Sequence, residues 1–316
     1  MASLPDDTTD PVTASGGRQP AVGSGSPTTP LATEGLRPPL AQTDGCPCLV
    51  IGCGYLGRVV AENWHRQGRR VAALTRGRAS ELAAAGLEPV VGDVTRPDTL
   101  VLPAAATVLY AVGMDRTAGH SMRAVYVDGL RHVLDRLRCE RFVYVSSTGV
   151  YGQTDGSEVD EDSPAEPVEE SGKVVLAAER VVRERLPAAT ILRFAGLYGP
   201  GRVLRRKPLL AGEPFVGDAD KWLNLIHVAD GAAAAGVAEA HPGETLIVSD
   251  GTPATRRQVY AETARLLGVL ATFVPGPAGG EPNRRVSNRR LRTLGWVPRF
   301  PSYAEGLRDA VGQRGA

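Results

Sequence analysis

The chain has 316 residues, 42% of them hydrophobic and 22% charged, with 36 basic against 35 acidic side chains and a formal net charge of +1. That length holds one large α/β domain or two modest ones, and the composition is ordinary for a soluble globular protein. The near-neutral balance argues against a dedicated nucleic-acid surface, and no apolar run approaches the ~20 residues of a membrane span.

Residues 1 to 44 are rich in Pro, Gly, Ser and Thr and carry no apolar periodicity. Such a segment buries too little to offset its ordering entropy, so a disordered tail without chemistry of its own is expected. It has neither the basic start nor the apolar core of a secretory signal, and Asp6, Asp7 and Asp10 disfavour a transit peptide. The four cysteines, Cys46, Cys48, Cys53 and Cys139, lack zinc spacing. No metal site is expected, and free thiols fit a reducing cytoplasm.

From Cys46 the pattern changes. "CLVIGCG" predicts a strand ending in glycine, "YLGRVVAENWHRQG" a helix, "RRVAALTR" a strand, "ASELAAAG" a helix, and "LEPVVGDV" and "ATVLYAVG" two more strands. "MRAVYVDGLRHVLDRLR" reads as a helix and "RFVYVSSTGVYG" as a strand running into a loop. Apolar strands alternating with helices predict a doubly wound, Rossmann-type parallel sheet covered on both faces. The dinucleotide-binding core is expected over 45–190. The less regular 191–316 should supply the remaining strands and a small C-terminal substrate lobe over the carboxyl edge.

In "VIGCGYLGRVVAE", Gly52, Gly54 and Gly57 stand at GxGxxG spacing between a strand and a helix. In that context the first glycine makes the tight turn, the second lets a pyrophosphate approach, and the third lets helix pack on strand. The amides of the loop and of Tyr55 and Leu56 then face the anion. A ligand-free βα turn or a methyltransferase loop are alternative readings. After the second strand, where NAD-binding versions place an acidic residue, the chain reads Leu74-Thr75-Arg76-Gly77-Arg78. Thr75 and Arg76 there favour a 2′-phosphate, hence NADP over NAD.

The series "VIGCGYLG", "GDV", "YAVG", "VSSTGVYG", "LRFAGLYGPGR", "NLIHVADGA" and "RRVSNRRLRTLGW" resembles the extended short-chain dehydrogenase/reductases. It is most similar to the NAD(P)-dependent epimerase/dehydratase branch, in an atypical subgroup, over roughly residues 47 to 310. The resemblance implies that Asp93 and Val94 flank the adenine and that Ala111, Val112 and Gly113 line the nicotinamide-ribose side. It places Ser147 where relatives bond the substrate oxygen, and Thr148, Tyr151, Arg193, Asn224 and His227 around the substrate. For His227 a purely structural tie is the competing reading.

The family's Tyr-x-x-x-Lys pair is missing. In "EPVEESGKVVLAAER", counting back from Lys173 gives Glu169, and the other register puts Ser171 and Val175 at the two positions. Tyr126, in "YVDG", is the candidate replacement acid, with Tyr151 as second choice, and Lys173 is kept as a candidate for the ribose. The expectation is therefore an oxidoreductase or epimerase-like enzyme acting on a small carbonyl or sugar-nucleotide substrate. Its rival is a catalytically silent NAD(P)-binding sensor. Oligomerisation stays open.

Overall fold

The computed structural model describes residues 45–276 and 280–312, so the expected tail over 1–44 lies outside the described residues. Strands β1 (Cys48–Ile51), β2 (Val71–Thr75), β3 (Glu88–Val91), β4 (Ala105–Tyr110), β5 (Cys139–Ser147), β6 (Thr190–Phe194) and β7 (Thr245–Val248) form one sheet. Its order is β7-β6-β5-β4-β1-β2-β3, with every neighbouring pair parallel. The chain winds outward in both directions from β1 and β4, so their carboxyl ends flank the crevice where such sheets bind ligands.

Helices cover both faces. On one side α1 (Tyr55–Arg66) packs against α5 (Val228–Ala238), and Val60, Ala61, Trp64, Ala234 and Ala235 join the buried cluster below. On the other side α3 (Gly129–Arg136) and α4 (Glu170–Arg185) bury Leu130, Val133, Ala178 and Val182. The short α2 (Ala79–Ala84) lies beside β3. Burial on both faces is why the central strands carry almost no polar side chains. β3 departs from that rule: it is the sheet edge, Val91 is 63% exposed, and Pro89 is tolerated because an edge strand needs no donor on its outer side.

Beyond β5 the chain adds short strand pairs. Glu158–Val159 pairs with Arg285–Val286, Gly196–Tyr198 with Leu225–His227, and Trp222–Leu223 with Ala254–Thr255. A separate cluster of Tyr198, Leu225, Val259, Tyr260 and Leu307 ties them to α6 (Arg256–Leu267) and α7 (Tyr303–Gly312). The stretch "SNRRLRTLGW" forms a short helix, Arg289–Thr293. Its arginines pair with carboxylates: Arg289 bonds Glu158, and Arg290 Nη2 reaches Asp162 at 2.6 Å. No helix among the described residues is long and apolar enough to cross a membrane.

Candidate functional site

A cavity of about 600 Å³ opens at the carboxyl ends of β1, β2 and β4. Its wall carries Gly52, Gly54, Tyr55 and Leu56 from the glycine loop, Thr75 and Arg76 after β2, Asp93 and Val94 after β3, and Ala111 to Gly113 after β4. All the positions expected to touch a dinucleotide therefore meet in one place except Gly57, which lies beneath the turn. A Cβ on Gly57 would strike the Gly52 carbonyl, and one on Gly52, held at φ +94°, would strike the Ala111 backbone. Both glycines answer a steric demand of the fold, and Gly52 also lines the cavity. Gly54 differs, because nothing lies within 4 Å of a Cβ built there. Its smallness keeps the cavity open.

α1 starts at this loop with no side-chain cap and no acidic residue in its first turn. Its leading N–H groups and dipole are thus left for an anion. The Tyr55 hydroxyl donates to the Pro200 carbonyl at 3.1 Å, and the Arg202 guanidinium lies 5.5 Å from the Tyr55 ring, so the glycine loop is tied to the chain that follows β6. The residues fit a dinucleotide pyrophosphate.

At the far end Thr75 Oγ1 accepts the Arg78 N–H at 3.0 Å and turns the chain out of β2, while Arg78 Nη2 donates to the Cys53 carbonyl at 2.5 Å. Arg76 Nη2 donates to Asp115 Oδ2 at 2.6 Å. The Thr117 hydroxyl and then Arg76 hold the Asp115 carboxyl down to about 2. Asp115, with Met114, Ala118 and His120, lines the same cavity. Sequence reasoning missed this stretch, which carries no motif and reaches β2 only through the fold.

Several residues expected to be catalytic or to bind substrate stand elsewhere. Arg193 is buried, with Nε and Nη2 on Glu179 at 3.0 and 2.8 Å and Nη1 on the Tyr151 hydroxyl at 2.8 Å. Ser146 completes this network on Glu179 at 2.5 Å. Tyr151 is fully buried, and that burial pushes its phenol up to about 12. Neither residue lines the large or the small cavity, and the two bond each other in the core. His227 caps α5, accepting the Ala229 N–H on Nδ1 at 3.3 Å, with Nε2 3.3 Å from Asp309 Oδ2. Burial pushes its pKa down, with Asp309 and Asp230 opposing. Lys173 is exposed and pairs with Glu170 at 2.6 Å, one turn back on the outer side of α4. Tyr126 sits in the widened helical turn Ala124–Asp128 and packs against the cluster of Tyr110 and Tyr144. Neighbours on a helical turn face different ways, and it is Val125 that meets the cavity.

Ser147 stands at the end of β5, where its Oγ accepts the Gly149 N–H at 3.0 Å and keeps its own proton to donate. Three residues beyond Val145 of the large cavity, Thr148 lines a second one of about 260 Å³. Its other walls include Glu169 at the head of α4, Lys221, Asn224, Arg256 and Arg284. The chain thus presents a cavity of about 600 Å³ beside the glycine loop and a smaller polar one at the same edge of the sheet. Among the described residues no group of three or more His, Cys, Asp or Glu could hold a metal.

The fold and cavity define a Rossmann-type nucleotide-binding protein. The model of the NAD dependent epimerase/dehydratase family matches residues 48–247, and the chain belongs to that family. It is similar to Protein YeeZ of Escherichia coli K12, 34% identical over 151 residues, which are 46% of this chain and 53% of that protein. The chain thus spans about half the length of the curated relatives it matches. A Methylobacillus flagellatus protein solved as a candidate NAD-dependent epimerase/dehydratase is 32% identical, covers 84% of this chain and 98% of its own, and superposes with a TM-score of 0.69. UDP-glucose 4-epimerase of Thermus thermophilus in complex with NAD shares the fold at 20% identity and a TM-score of 0.70, over 84% of this chain and 98% of its own.

Proposed function

We propose that the protein is an NADP-dependent oxidoreductase or epimerase-like enzyme that works on a small carbonyl or sugar-nucleotide substrate without the usual tyrosine–lysine pair. The observation that carries this reading is the large cavity, with Gly54 open to it and Arg76 at its adenosine end. The bound nicotinamide would supply or accept hydride. Gly52 and Gly54 with the head of α1 would hold the pyrophosphate, Arg76 the 2′-phosphate, Asp93 and Val94 the adenine, and Ala111 to Gly113 the nicotinamide-ribose side. Ser147 would donate a hydrogen bond to the substrate oxygen. A hydroxyl is a poor acid on its own, and Glu169 is the carboxylate at the head of α4 that lines the small cavity with Thr148. The free state of all four cysteines supports a reducing, cytoplasmic setting.

A second reading, a dinucleotide-binding sensor without turnover, is favoured by one observation: Tyr126, Tyr151 and Lys173 all stand off the cavity wall. Following NADPH oxidation over carbonyl compounds, and product formation by chromatography over sugar nucleotides with either oxidation state of the cofactor, separates the two, since an epimerase returns its cofactor unchanged. Turnover that Ser147→Ala lowers by about tenfold or more supports the enzyme. Tight NADPH binding with no turnover supports the sensor.

A further inference from the structure

Arg284 is a guanidinium built into place with no ion pair among the described residues. Asn224 fixes its backbone from both sides, donating from Nδ2 to the Arg284 carbonyl at 2.8 Å and accepting the Val286 N–H on Oδ1 at 2.8 Å. One residue earlier, Asn283 Oδ1 accepts the Trp222 N–H at 3.0 Å. The side chain then crosses to the end of β5, where Nη2 donates to the Thr148 carbonyl at 2.6 Å. Its Nε is buried without a partner, and among the described residues no carboxylate stands within ion-pair distance of it. The negative charge it feels first is that of Glu169, across the small cavity. Burial pushes its pKa down, the mark of a cation whose lost hydration has not been replaced.

A second cation shares the wall. The Lys221 side chain is 7% exposed, and its Nζ reaches Glu281 Oε2 at 2.7 Å. Glu281 itself is 61% exposed and is shared with Arg256 at 3.4 Å, so it shields the rim rather than filling the cavity. Arg284, Lys221 and Arg256 with the Thr148 and Asn224 walls leave about 260 Å³, below the range of pockets that enclose drug-sized molecules.

We propose that this small cavity is the substrate subsite, and that it takes a small molecule by a compact anionic group, a carboxylate or a phosphate monoester, seated against Arg284 with Lys221 beside it. The anion replaces the water that Arg284 loses on folding, while the Glu169 carboxylate repels it and fixes the opposite end of the molecule toward α4. This inference rests on reading the protein as an oxidoreductase, and it narrows the substrate class.

The test titrates full-length protein, with and without NADPH, against inorganic phosphate and separately against malonate at constant ionic strength, by calorimetry. At least one anion should bind. Arg284→Gln should weaken it about tenfold, Arg284→Lys should recover part of that, and Lys221→Gln should weaken it severalfold, all with NADPH affinity unchanged. Tighter phosphate marks a phosphate monoester substrate and tighter malonate a carboxylate. Should Arg284→Gln fail to fold, Lys221→Gln carries the test, because its partner Glu281 is exposed. No binding of either anion to the wild type, or equal affinity in the variants that fold, overturns the proposal. Loss of NADPH binding in the wild type instead counts against the cofactor reading and leaves the anion titration without NADPH to be judged alone.

Discussion

Arg76 and Asp115 meet at 2.6 Å across the wall of the large cavity, although 39 residues separate them in the chain. A 2′-phosphate on Arg76 must compete with that carboxylate. Asp115→Asn should therefore raise NADPH affinity severalfold and leave NADH nearly unchanged, read by titration of protein fluorescence. A loss of NADH binding instead would show that Asp115 serves the adenosine ribose directly.

Gly54→Val should leave the melting temperature within a few degrees of the wild type, because no atom lies within 4 Å of the new Cβ. It should abolish dinucleotide binding, since the side chain stands where the pyrophosphate approaches. Gly57→Ala is the contrasting case. It drives a methyl into the Gly52 carbonyl and should destabilise the fold itself, as denaturant unfolding would show.

The Arg193–Glu179–Tyr151 network predicts a stability effect rather than a kinetic one. Arg193→Met strands the Glu179 carboxylate in the core and should cost ~3–5 kcal/mol in urea unfolding. Tyr151→Phe loses one hydrogen bond and should cost ~1 kcal/mol, with kcat unchanged. A Tyr151→Phe enzyme that folds normally and loses turnover would restore this tyrosine to the chemistry.

Asp250, at the end of β7, gives a pH signature. Burial pushes its carboxyl from 3.8 up to about 7, with Asp230 and Glu305 adding to the rise and Arg292 and the Thr252 N–H opposing it. Between about pH 4 and pH 7 the folded protein holds a proton that the unfolded chain has released. Stability should then fall as pH rises through that window and level off above it, by up to ~4 kcal/mol at roughly 1.4 kcal/mol per unit. Asp250→Asn should flatten that part of the stability–pH curve. An unchanged slope would place the titration elsewhere.

The parts of this molecule legible in the sequence are those governed by neighbours in the chain. Gly52, Gly54 and Gly57 announce a strand–turn–helix because each answers a local steric demand, and the apolar strands announce a sheet buried on both faces. The terminal residues of four strands could then be placed around one cavity, since parallel strands bring their carboxyl ends to one edge. What the sequence did not show depended on contacts across the fold. Arg193 reads like a substrate arginine until Glu179 and Tyr151 are seen to consume its donors. Arg284 carried no sequence signal at all, and only the fold, through Asn224 and Thr148, holds it in a cavity. Tyr126 was aimed at the pocket by its motif, and the widened turn directs Val125 there instead.

Which dinucleotide the cavity prefers is the most direct test of the cofactor assignment. Titrating wild-type protein and Arg76→Ala with NADPH and NADH should show NADPH bound about 10- to 100-fold more tightly by the wild type, the range expected of a charge-assisted contact, with most of that margin gone in the variant. Equal affinities for the two nucleotides in the wild type, or no binding of either, would contradict it.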